Sequence, residues 1–147
     1  MKIWHVLLLS FFLLLFAGCH ADVCVRCVDE AGLFIHVSHG ADEPHRTLMA
    51  FQMANLMADA GTPVLVYCDI NAVNVVLKDS ADISFSHFDS SRAALEALLA
   101  KGVTVVVCPG CLKAKGKTPD DVMDGVAIAS KEAFFGFTKG RILTLDY

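Results

Sequence analysis

The stretch VTVVVCPGCLKAKG, residues 103–116, decides the fold. Val103 to Val107 form a continuous β-branched run with almost no polar face, the pattern of a strand covered on both sides in a parallel sheet. Pro109 suits the first position of a helix, where its missing N–H would have had no partner. Cys108 then falls at the N-cap and Cys111 one turn on. A buried strand that hands over directly to a helix is the repeating step of an α/β sheet.

The flanking sequence repeats that step. Upstream, GLFIHVS (32–38) is a short apolar run of β-formers, followed by the turn-like HGADEP (39–44). In HRTLMAFQMANLMADAG (45–61), Leu48, Met49, Met53, Leu56, Met57 and Ala60 recur at helical spacing, with Pro44 at the start and Gly61 at the C′ position. PVLVYCD (63–69) predicts a second strand. INAVNVVLKDSADISFSHF (70–88) has no single period. Asp89 or Ser90 can cap SRAALEALLAKG (91–102), whose Ala94, Leu95, Leu98 and Leu99 make an apolar stripe. Downstream, Thr118, Pro119 and Asp121 match a helix start with a capping-box acid. A helix around SKEAFFGFTKG (130–140) leads to a last strand, RILTLDY (141–147). The expectation is a single three-layer α/β/α domain over residues 32–147, with a mainly parallel sheet of about five strands.

The N-terminus reads as an export signal. MKIWHVLLLSFFLLLFAGC has one cation, Lys2, then an apolar run from Ile3 to Phe16 that is too short to span a bilayer, then Ala17 and Gly18 before Cys19. FAGC (16–19) resembles the lipobox of bacterial lipoproteins, which implies cleavage after residue 18, acylation of Cys19 and attachment to a membrane through that lipid. Cleavage after Ala21 by ordinary signal peptidase is the competing cut, and both export the chain to the periplasm or cell exterior. Residues 19–31 then form a tether.

Removing residues 1–18 from 147 leaves about 129 residues, enough for one core. That segment carries one lysine and no acid, so the formal charge of −4 becomes −5 without it. A mildly acidic domain has no basic patch to hold nucleic acid. Six cysteines in an exported chain suggest disulfides, but a domain of this size rich in Val, Leu and Ala can fold without them.

Chemistry concentrates on Cys108. Its sulfur should face the free amides of Gly110 and Cys111 beside Pro109, and Lys113 and Lys115 add positive charge nearby. Each effect favours thiolate over thiol, which makes Cys108 the reactive sulfur and Cys111 a possible resolving partner. Two other readings stay open. The pair can be an inert disulfide, or it can join Cys24 and Cys27 of CVRC as four thiolates for zinc or a soft metal. Cys68 reads as a small buried hydrophobe.

From Gly32 to Tyr147 the order of these segments resembles the DsrE/DsrF/TusD-like sulfur-relay family. The resemblance implies a compact α/β fold, homo- or hetero-oligomers, and a cysteine just after the penultimate strand that takes a persulfide and passes it on. Cys108 falls at that position and LKAKG (112–116) at the basic segment behind it; Cys111 adds a second thiol. The implied partners are a sulfur donor or acceptor protein or a small thiol, and a second copy of the chain. No cofactor is implied. His36, His39 and His45 can border the same crevice, and Asp42, Glu43, His45 and Arg46 match the polar turn of the family pattern, which implies oligomer or ligand contacts rather than catalysis. The helix bearing Phe51 and Met53 is apolar nearly all round, which predicts burial on two sides, as core plus subunit interface or as a thick core.

Overall fold

The computed structural model describes residues 31–137 and 139–147. The expected signal and tether, with Cys19, Cys24 and Cys27, lie outside them. The chain runs β1 (Gly32–Val37), α1 (Pro44–Asp59), β2 (Val64–Cys68), α2 (Ser91–Ala100), β3 (Thr104–Val107), α3 (Pro109–Ala114), β4 (Ala127–Ile128), α4 (Lys131–Phe137) and β5 (Ile142–Asp146). All four strand pairings are parallel, in the order β4-β3-β2-β1-β5. The five-stranded parallel sheet with helices is the expected α/β fold.

Alternation along the strands gives the two faces different surroundings. Leu33, Ile35 and Val37 of β1 stand beside Val64, Val66 and Cys68 of β2, with Val105 and Val107 of β3 next in register. These side chains are sealed with Leu48, Phe51, Leu95 and Leu98 of α1 and α2. Full burial of side chains of this kind contributes about 1.5–3 kcal/mol each, which makes this face the main source of stability. Asn55 ties the two covering helices together: its amide donates to Phe51 O and Ala94 O, both at 3.1 Å, and its oxygen accepts from Lys101 Nζ at 2.9 Å. The opposite face is only partly covered. There Phe134 of α4 lies 5.6 Å from Phe34 and 5.2 Å from Tyr67 between ring centroids.

The helix ends match the sequence. Ser90 is the N-cap of α2, its Oγ accepting from Ala93 N at 3.4 Å. Gly61 adopts φ +78°, which lets Gly61 N reach Ala58 O at 2.9 Å and Thr62 N reach Met57 O at 3.0 Å, the paired bonds that close a helix C-terminus.

Three expectations are corrected. Thr118 N does bond Asp121 Oδ2 at 2.7 Å, but the element it opens is a single 3₁₀ turn, Pro119–Asp121, because Val122 returns to extended backbone and Leu77 pairs with it as an isolated bridge. The short β4 intervenes between β3 and β5, so Cys108 comes after the third of five strands rather than the penultimate one. Within one chain α1 is buried on one side only, which removes the thick-core alternative: Met49 and Leu56 stand 38% and 56% exposed. The region of no single period, 70–88, contains a 3₁₀ turn at Ala72–Val76 and a loop anchored by buried Ile83.

Candidate functional site

The carboxyl ends of β1, β2 and β3 meet where ligands gather in open α/β sheets. Cys108 N donates to Cys68 O at 2.9 Å and Asp69 N to Val37 O at 3.0 Å, so each strand's last residue fixes the first loop residue of its neighbour. Cys108 is the N-cap of α3 with φ −64° and ψ 117°, and Pro109 comes next. Its sulfur accepts the backbone N–H of Cys111 at 3.5 Å. Both thiols are half-buried and free, and Cys68 is sealed in the core, where burial pushes its pKa up to about 12.

The two half-buried thiols differ. Burial opposes ionisation of Cys108, but the Tyr67 hydroxyl, the amide and thiol of Cys111 and the Gly110 amide together hold its pKa below the ordinary thiol value. At Cys111 the Ile70 amide favours the thiolate, yet burial and the nearby Cys108 and Asp69 raise its pKa. Tyr67 itself stays a phenol, its pKa raised by burial and by the nearby Cys108 and Asp69.

Sheet register explains why Tyr67 is there. Val106, Tyr67, His36 and Asp146 are successive cross-strand neighbours on one face, and Cys108 lies two residues beyond Val106 on that face. His36 Nδ1 is 2.7 Å from Asp146 Oδ1, and its Nε2 is 2.9 Å from Asp69 Oδ1. Nε2 and Asp69 Oδ1 are both sealed from solvent and make no hydrogen bond, so the contact is an ion pair when His36 is protonated. The loop that carries Asp69 is strained: Ile70 has φ 43°, a left-handed conformation costly for a β-branched residue.

The other sequence candidates separate. Lys113 is in the last turn of α3 and Lys115 is its C-cap, so both cations face the negative end of that helix rather than the Cys108 sulfur. Their place beside the thiolate is taken by Tyr67, which no local spacing in the sequence pairs with Cys108. Gly110 and Pro109 form the first turn beside the sulfur. His36 alone of the three histidines reaches the site. His39 Nδ1 pairs with Asp42 Oδ2 at 2.9 Å, and His45 stacks on Phe85 with centroids 4.8 Å apart. Asp42 also accepts from Gly40 N at 2.8 Å and Asn71 Nδ2 at 3.1 Å; His39 first, then these two donors, hold its carboxyl well below the usual range and order the turn after β1. Among the described residues no group of three or more His, Cys, Asp or Glu side chains is disposed to hold a metal. The four-thiolate alternative requires Cys24 and Cys27, which lie outside them. A cavity of about 280 Å³ between α1 and α2, lined by Gln52, Asn55, Asp59 and Lys101 among others, is on the far side of the sheet from the thiols.

Comparison with solved structures agrees with this fold. The ychN protein from E. coli superposes with a TM-score of 0.59 at 20% identity, covering 78% of this chain and 99% of its own. A protein of unknown function from Methanobacterium thermoautotrophicum gives a TM-score of 0.55 at 21% identity, covering 80% of this chain and 100% of its own. No curated protein matches at a significant level. The sequence model of the DsrE/DsrF-like family matches residues 31–141, which includes all of the site except Asp146, and the chain belongs to that family.

Proposed function

We propose that this domain carries sulfane sulfur on Cys108 and that Cys111 is its resolving thiol. The observation that carries the reading is the one-way bond between the two cysteines: at the start of α3 the Cys108 sulfur accepts the Cys111 amide at 3.5 Å, which favours the thiolate at Cys108 over Cys111. The Cys108 thiolate attacks the outer sulfur of a donor persulfide. A bond forms from Cys108 to that sulfur as the donor's S–S bond breaks, and the donor leaves as a thiolate. An acceptor thiolate then takes the outer sulfur and returns Cys108 to the thiolate, with no net oxidation. When Cys111 attacks the Cys108 sulfur instead, hydrosulfide leaves and a Cys108–Cys111 disulfide remains. A small thiol or dithiol protein reduces it.

The half-open position of both thiols suits an acceptor that is itself a protein cysteine or a small thiol. The test is transfer of isotopically labelled sulfane sulfur from a low-molecular-weight persulfide to an acceptor thiol. Cys108→Ser should abolish it, and Cys111→Ser should preserve uptake. Transfer that survives Cys108→Ser would exclude the reading.

We further propose export with acylation at Cys19, which places the domain on a membrane surface and its partners outside the cytoplasm, and assembly of the domain with copies of itself. None of the described helices is long and apolar enough to cross a membrane. Mass spectrometry of the mature protein should find a lipidated Cys19 as its first residue; a chain beginning at Asp22 would refute anchoring. Light scattering should find an oligomer at micromolar concentration, and a monomer would refute assembly.

A further inference from the structure

His36 is the feature that the sulfur chemistry leaves unused. A neutral imidazole has one N–H, so it can donate to only one of two carboxylates. Here both ring nitrogens face one, Asp146 Oδ1 at 2.7 Å and Asp69 Oδ1 at 2.9 Å, and the second contact is closed to solvent. That geometry calls for the imidazolium whenever both acids are ionised. The ionisable groups that face it are Asp69 from the turn after β2, Asp146 from β5, and Tyr67, its register neighbour on β2, with ring centroids 5.7 Å apart.

Asp69 and Cys108 each follow directly on the last register pair of β2 and β3, Cys68 with Val107. The Cys68 carbonyl holds Cys108 N, and the Asp69 side chain is 17% exposed, so water screens its charge poorly. A bare carboxylate there disfavours a second negative charge at Cys111.

We propose that His36 is a positioning residue for the cysteine pair: held between Asp69 and Asp146, it neutralises the Asp69 carboxylate and so lets Cys111 ionise for its attack on Cys108. The proposal rests on the resolving role of Cys111 in sulfur release. It assigns the Asp69–His36–Asp146 array to the second step of that release, leaving the first capture on Cys108 to Tyr67 and the amides.

The test uses the full chain carrying Cys108→Ser, so that it does not depend on sulfur uptake. Iodoacetamide labelling of Cys111, resolved from the other cysteines by peptide mass, is measured across pH. His36→Gln should raise the midpoint by roughly half a unit, about threefold slower labelling at neutral pH, and Asp69→Asn should lower it. In the Asp69→Asn background, His36→Gln should have no further effect. An equal shift with and without Asp69, or lost thermal stability with an unmoved midpoint, would overturn the proposal and leave His36 a structural residue. If His36→Gln fails to fold, Asp69→Asn decides alone, and an unmoved midpoint overturns it. Failure of Cys108 to take up sulfur would strike the carrier reading and leave this measurement standing.

Discussion

The sulfur of Cys108 accepts the amide of Cys111 at 3.5 Å, so the backbone of one cysteine stabilises the thiolate of the other. The bond has a direction, and the two thiols of one short motif are therefore not interchangeable. In the reduced protein an alkylating probe at mildly acidic pH should label Cys108 well before Cys111. Equal rates would mean that the amide and Tyr67 do not act on the sulfur in solution.

Tyr67 neighbours Val106 on the strand that leads to Cys108, and it is the foremost influence lowering the Cys108 pKa. Hydrogen bonds to a charged acceptor contribute about 1.5–3 kcal/mol, so Tyr67→Phe should raise the Cys108 pKa by roughly one unit or more and slow its labelling about tenfold at neutral pH. The packing of the ring against Phe34 and Phe134 is retained, so the thermal midpoint should change little. The pH profile of labelling in the two proteins measures the effect.

How much of this was legible in the sequence differs between strands and neighbours. The β-branched run ending at Cys108, with Pro109 behind it, is a local pattern, and the N-cap geometry results from it. Tyr67 and His36 come to the site through register between strands far apart in the chain: residue 36 meets residue 146 only because β5 joins the sheet beside β1. No spacing rule pairs positions so distant. Lys113 and Lys115 misled for the opposite reason, since nearness in sequence does not say which end of a six-residue helix a charge occupies. Region 70–88 resisted reading because its apolar residues anchor a loop rather than one face of a regular element.

The array around His36 makes stability depend on pH in a definite direction. Burial opposes the charge on His36, but Asp69 and Asp146 outweigh it and raise its pKa above the ordinary 6.5. The folded protein therefore binds this proton more tightly than the unfolded chain. The resulting stability is complete below pH 6.5 and is lost as the pH rises through the raised folded value. Urea midpoints should show the gap between the wild type and His36→Gln narrowing over that interval. A gap that widens with pH would contradict the assignment.

Ile70 carries backbone strain next to the site. Its φ of 43° is held by Asn71 N on Ser38 O at 3.0 Å and Ala72 N on Asp69 O at 2.8 Å, and its side chain is 56% exposed and packs little. Strain of this type costs about 1–3 kcal/mol, partly offset in Ile70→Gly by the greater entropy of the unfolded glycine chain. Ile70→Gly should thus stabilise the fold by up to about 1 kcal/mol, as read by urea denaturation. A clear loss of stability would show that the side chain makes contacts that outweigh the strain.

The central claim is that Cys108 takes the sulfur. The most direct measurement is the intact mass and peptide map of the reduced protein after brief exposure to a small-molecule persulfide and removal of the excess. The account predicts a mass gain of one sulfur atom on the peptide containing Cys108, retained in Cys111→Ser, where no resolving thiol can displace it, and absent from Cys108→Ser. A sulfur atom found on Cys111 in the wild type, or an adduct unchanged by Cys108→Ser, would contradict it.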